Sequence, residues 1–95
     1  MPKYIALINW TEQGVKNFKD TVDRYEAVKE IGGVRFTDIY WTVGKYDMVG
    51  VIEAPDGEAL AAALLQVASA GNIRTTTMRA FDATEMRSVI AKATG

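Results

Sequence analysis

The sequence predicts an α+β sandwich with the element order βαββαβ and a helix appended at its C-terminal end. Three observations carry this expectation. β-forming runs and amphipathic stretches alternate in that order along the 95 residues. The two strand–helix–strand halves are of similar length. Right-handed crossovers in both halves then leave one familiar arrangement, the ferredoxin-like sandwich. In it, four antiparallel strands form one sheet, the first and third strands lie in the centre, and two long helices cover one face.

Each element has its own signal. Lys3 to Trp10 is dense in β-formers and apolar on both parities, with Tyr4, Ala6, Ile8 and Trp10 alternating with Ile5 and Leu7. A strand apolar on both faces is covered on both. Thr11 is placed to cap a helix from Glu12 to about Ile31. Val15, Phe18, Val22, Tyr25, Val28 and Ile31 recur at threes and fours, the spacing of one buried stripe. Gly32-Gly33 ends that helix in the left-handed conformation. Val34 to Val43 is the second strand and Asp47 to Ala54 the third, joined by a tight Gly44-Lys45-Tyr46 connection. Pro55 stops the third strand. A second helix follows to about Ala70, with Leu60, Ala63, Leu64 and Val67 inward. Ile73 to Phe81 is the fourth strand. A last helix, Ala83 to Ala93, is capped by Asp82 and expected to turn Met86, Val89 and Ile90 inward.

Composition narrows the function. Hydrophobic residues make up 48% and charged residues 24%, an ordinary globular mixture, so one domain over residues 1–95 is expected. The chain holds no cysteine and no histidine. That removes a thiolate nucleophile, disulfides, Cys-based metal sites, a Ser-His-Asp triad and the usual general base. The carboxylates show neither a calcium-loop pattern nor a paired E-x-x-E, so no metal is expected, and no Gly-rich phosphate loop follows a strand, so no cofactor is expected. Eleven basic against twelve acidic residues give a net charge of −1, without the footprint of a nucleic-acid binder. No apolar run approaches the roughly 20 residues that cross a bilayer. A cytoplasmic protein without membrane partners is expected.

Two helices cover one face of a four-stranded sheet and leave the other bare. Either parity of the central strands puts apolar residues there, Ile5 and Leu7 with Val49 and Val51, or Ala6 and Ile8 with Gly50 and Ile52. Apolar patches of a few hundred Å² mark interfaces. A homo-oligomer, a dimer or larger, formed face to face is therefore expected, with the last helix swapping or clamping onto the neighbour. The plainer alternative is that this helix folds back over the face of its own chain.

Several ordered blocks carry a resemblance. They are Trp10-Thr11-Glu12-Gln13-Gly14, Tyr40-Trp41-Thr42-Val43-Gly44-Lys45-Tyr46-Asp47, Glu53-Ala54-Pro55-Asp56, Gly71-Asn72-Ile73-Arg74-Thr75-Thr76-Thr77 and Arg79-Ala80-Phe81. Together they resemble the GYD domain family, small proteins whose fold is a dimeric α+β barrel. The resemblance implies that assembly and no catalytic residue. More weakly, Gly44 to Met78 is similar to the ligand-binding domain of the feast/famine amino-acid-responsive regulators. There, a G-x-x-D turn and a Gly followed by T-x-T lie at a subunit interface that binds small ligands. The matching positions are Gly44 and Asp47, then Gly71, Thr75 and Thr77. The helix-turn-helix domain that those regulators carry upstream is not expected here, so a bound ligand would be reported to another protein or simply stored or carried.

The candidate site residues fall into two groups. Gly44, Lys45, Tyr46 and Asp47 are expected near Arg79 and Phe81, with Tyr40 or Trp41 as a wall. Trp41, Gly44, Tyr46, Asp47, Thr75, Thr77 and Arg79 are thus the candidate ligand-binding set. The plainer role for Asp47 is to accept backbone N–H groups within its own turn. For Thr75 and Thr77 it is a β-branched edge strand. At the opposite end, Thr11, Arg35 and Arg74 are expected to meet the N-termini of both long helices, a setting that suits an anion. The acidic residues Glu12, Glu53, Asp56 and Glu58 make solvated ion pairs the plainer reading there. The leading expectation is a non-catalytic homo-oligomeric small-molecule binding or regulatory module. A cofactor-free isomerase or monooxygenase-like enzyme, or a purely structural assembly unit, are the alternatives.

Overall fold

A computed structural model describes residues 1–95. The elements are β1 (Lys3–Trp10), α1 (Glu12–Lys16), α2 (Thr21–Val28), β2 (Glu30–Ile31), β3 (Val34–Trp41), β4 (Met48–Glu53), α3 (Gly57–Ala68), β5 (Ile73–Ala80) and α4 (Ala83–Thr94). A 3-10 turn, Phe18–Asp20, joins α1 to α2. All strand pairs are antiparallel, in the order β2-β3-β4-β1-β5. The α+β sandwich is as expected, with β1 and β4 central. No helix is long and apolar enough to cross a membrane.

The first helical region departs from the expectation of one helix to Ile31. It breaks at Asn17, and its last residues become a strand. Glu30 pairs with Arg35 and Ile31 with Val34, so Gly32-Gly33 is a two-residue hairpin turn rather than a helix stop. Both glycines have positive φ, 56° and 82°, the combination that a type I′ hairpin requires. The predicted stripe is also only half used. Tyr25 and Val28 pack inward, while Val15, Phe18 and Val22 are 49%, 54% and 52% exposed.

Register assigns the two sheet faces. Ala6, Ile8, Met48, Ile52 and Ala54 are buried under the helices together with Val34, Leu60 and Ala63. α3 turns Leu60 and Ala63 into this core, as its spacing predicts. β3 reaches the same core through a bulge between Phe36 and Asp38. The extra residue, Thr37, resets the alternation, so Phe36, Ile39 and Trp41 all lie on the helix side. Gly50 is required opposite them, because a Cβ there would sit 2.8 Å from the Phe36 ring.

The last helix differs from expectation. α4 begins with a capping box in which Asp82 accepts the Glu85 N–H and Glu85 accepts the Asp82 N–H. Its apolar stripe, however, is not turned inward: Met86, Val89 and Ile90 are 45%, 37% and 50% exposed. The molecule is 51 Å in its longest dimension, and α4 makes no extensive contact with any strand of the sheet.

Candidate functional site

The open sheet face is zoned. Its middle rows read Tyr40–Val49–Leu7–Thr76 and Asp38–Val51–Ile5–Met78, and its outer row reads Arg35–Glu53–Lys3–Ala80. The central side chains Ile5, Leu7, Val49 and Val51 are apolar and have no helix above them. Of the two central parities, it is the odd one that points outward. Arg35 pairs with Glu53 at 3.1 Å along the charged margin.

The register separates residues that the sequence groups together. β1 and β4 are antiparallel, so their C-terminal ends lie at opposite ends of the sheet. One end holds Trp10 and Thr11 with the Thr42–Asp47 connection, Gly71, Asn72 and Arg74. The other holds Lys3, Glu53, Arg35, Arg79 and Asp82. Arg79 is therefore remote from Gly44, Tyr46 and Asp47, and the candidate ligand set does not converge as one pocket. Likewise, Arg35 lies at the far end from Thr11 and Arg74, and its guanidinium is already paired with Glu53. The three-residue anion end is not formed.

At the Trp10 end, Asp47 ties two strands together. Its Oδ2 accepts the Trp10 backbone N–H at 2.8 Å, and its own N–H donates to the Ile8 carbonyl at 2.9 Å. The carboxylate thus accepts an N–H, as the plainer reading holds, but the donor belongs to β1 rather than to its own turn. The connection itself closes by Thr42 donating from its hydroxyl to the Tyr46 carbonyl at 2.5 Å, with Gly44 at φ 148°. Lys45 lies over the Tyr46 ring. Trp41 points to the helix side, where its Nε1–H donates to Thr21 at 3.0 Å, and Tyr40 points to the open face.

Thr11 caps α1 by accepting the Gly14 N–H, and its hydroxyl donates to the Gly71 carbonyl at 2.6 Å. Gln13 donates from Nε2 to the Ala70 carbonyl and the Asn72 Oδ1. Gly14 is buried against Asn72, whose carbonyl oxygen a Cβ would meet at 2.0 Å. These contacts pin α1 to the start of β5. Arg74 and Thr75 line an open groove beside α3 at that point, near Thr11 and Leu64.

Thr77 faces the helix side, and its hydroxyl is buried without a partner, as is the Trp10 Nε1–H. At the far end Arg79 stacks on Phe81 at 4.3 Å and donates to the Lys3 and Ala80 carbonyls. It also reaches Glu85 of α4 at 3.6 Å. Lys3 donates to Asp82 at 3.1 Å, which raises the lysine's pKa above its usual value. The Asp82 carboxyl is held below its usual range, first by the Glu85 backbone N–H and then by Lys3. Arg79 thus anchors the start of α4.

Sequence reasoning missed a cavity of about 210 Å³ between the broken first helix and the sheet. Ile8, Met48 and Ile73 floor it, Tyr25 and Phe36 wall it, and Val67 closes it from α3. Tyr25 stands edge-on to Phe36 at 5.7 Å and to Trp41 at 5.9 Å. None of the expected ligand residues lines this space. The signal that was available is the small side chains of Ala27 and Ala70, which leave the space beside them unfilled.

Comparison with known proteins agrees with this architecture. A GYD domain family model matches residues 4–90. A Thermus thermophilus protein named glutamine synthetase and cystathionine beta-lyase binding protein is 33% identical over 93 residues, which cover 90% of this chain and 95% of the relative. The crystal structure of TTHA0845, also from Thermus thermophilus, superposes with a TM-score of 0.63 at 27% identity, over 87% of this chain and 96% of that one. The feast or famine regulatory protein from M. tuberculosis, complexed with L-methionine, gives 0.68 at 17% identity over 86% of this chain. This chain spans about half that regulator's length, 51%, and the likeness to it is one of fold. With the family model matching nearly the whole sequence, the chain belongs to the GYD domain family.

Proposed function

We propose that this protein is a non-catalytic, homo-oligomeric small-molecule binding or regulatory module that acts through other proteins. Residues 1–95 work as one unit, in the cytoplasm. Copies meet through their open sheet faces to form a dimeric α+β barrel. The observation that carries the proposal is the apolar centre of that face, Ile5, Leu7, Val49 and Val51, left without a helix over it. The surface supports it. The single chain exposes 6325 Å², about 900 Å² more than the roughly 5,400 Å² typical of a monomer of 10.4 kDa. A standard interface removes about 800 Å² per partner. The relative named for binding two enzymes supports the regulatory half of the proposal.

Native mass spectrometry of the protein as purified tests it. A dimer or larger assembly is expected, and extra mass on it would identify the ligand. A bare monomer at micromolar concentration would overturn the proposal.

A further inference from the structure

We propose that the cavity beneath the broken first helix binds a ring-sized, uncharged molecule with at most one hydrogen-bond acceptor. The inference rests on the ligand-binding part of the function above and is independent of the dimer. It places the ligand inside the protomer rather than at the subunit interface.

Size is the first argument. An apolar cavity of about 150 Å³ takes up benzene, and this one measures about 210 Å³. Protein interiors ordinarily pack to crystal-like density with few voids larger than a water. The space is a recess open to solvent along the first helix, set beside a core of only eight buried hydrophobic residues, so a ligand can enter it without the core unpacking.

The lining decides the chemistry. Ten of the thirteen lining residues are hydrophobic, and the Tyr25 and Phe36 rings present faces and edges suited to a flat ring. The polar residues at the rim are mostly engaged. Arg24 donates to the Asn17 carbonyl at 2.6 Å and to the Gly14 carbonyl at 3.3 Å, holding the break between α1 and α2. A carboxylate ligand would give up its hydration to a largely hydrophobic lining, and the one cation beside it, Arg24, already donates through both terminal nitrogens. Thr21 already accepts the Trp41 indole N–H. Asn72 accepts from Gln13 through Oδ1, and its NH₂ donates to no protein group. One carbonyl or ether oxygen on the ligand would satisfy it.

Acetophenone and benzoate, titrated into the isotope-labelled full chain and followed by NMR, test the inference. Acetophenone is expected to give saturable shifts centred on Ile8, Met48, Val67 and Ile73, and benzoate to bind at least tenfold more weakly. Val67→Phe, which fills the space, should weaken acetophenone at least tenfold while melting no lower than the parent. Ala27→Leu fills it from α2 and serves if the first variant does not fold. Absence of saturable shifts, equal binding of benzoate, or shifts centred on Ile5, Leu7 and Val51 would each overturn the inference. The mass of the same samples separates the two proposals. A dimer that binds no acetophenone removes the cavity site alone, and a monomer that binds it removes the assembly alone.

Discussion

At the scale of single residues, two polar groups set the energetics. Asp47 bridges β4 and β1 by accepting the Trp10 N–H. Asp47→Ala leaves that N–H unpaired and should cost about 1–3 kcal/mol, whereas Asp47→Asn keeps an acceptor and should cost about 1 kcal/mol or less. Urea denaturation of both variants checks the ordering; equal losses would mean that the charge, not the acceptor, matters. Thr77 presents the reverse case, a buried hydroxyl without a partner. Thr77→Val keeps the shape and removes the unpaired group, so it should stabilise by about 1 kcal/mol. A loss of stability would reveal an acceptor or donor that reaches Thr77 in the assembled protein. The roles of these two side chains differ in how far the sequence reveals them. Asp47 follows a glycine turn and invites a hydrogen-bonding reading, but the identity of its donor depends on register across 37 residues. That Thr77 lies on the helix side depends on its pairing with Ala6, which no local pattern encodes.

At the scale of elements, what was legible and what was not have separate physical causes. β1 runs from Lys3 to Trp10 as its β-formers predict, and α3 buries the Leu60 and Ala63 that its period selects. Local propensity and tertiary packing agree there. The single first helix fails at Asn17, where α1 ends and Arg24 binds the carbonyls exposed at the break. The site grouping fails for a topological reason. The expected antiparallel order already implies the answer, since the last strand then ends at the far side of the sheet from the Gly44–Asp47 connection, and the pairing of Tyr4 with Arg79 and of Ile8 with Met48 shows it. α1 is held by close approach, so Gly14→Ala should cost about 1–3 kcal/mol as its Cβ meets Asn72. An unchanged melting temperature would mean that α1 is free to move from β5. α4 is held by charge. Its cap residue Asp82 has a lowered pKa, so it favours folding above its usual value of 3.8 and ceases to do so as pH falls through the lowered one. Amide protection of α4 should therefore decline in strongly acidic solution and be restored by neutralisation. Asp82→Asn should flatten that dependence, and a parent-like profile would contradict it.

At the scale of the whole molecule, the chain is extended in shape as well as large in surface. Its radius of gyration is 14.7 Å, against about 12.4 Å for a compact chain of this length. Three apolar features lack a cover: the half-buried sheet centre, the exposed α4 stripe and the outer side of the first helix with Val15, Phe18 and Val22. A second copy laid face to face would cover the first of these. Val51 sits in the middle row and Ile52 in the core, so only the former tests assembly. A lysine there buries an unpaired charge at the interface, a loss of about 3 kcal/mol or more, which weakens association at least a hundredfold. The most direct measurement is sedimentation equilibrium of the parent and Val51→Lys at micromolar concentration. We predict a parent mass of at least twice 10.4 kDa and a folded, monomeric variant. A parent that sediments as a monomer, or a variant that assembles like it, would contradict the account.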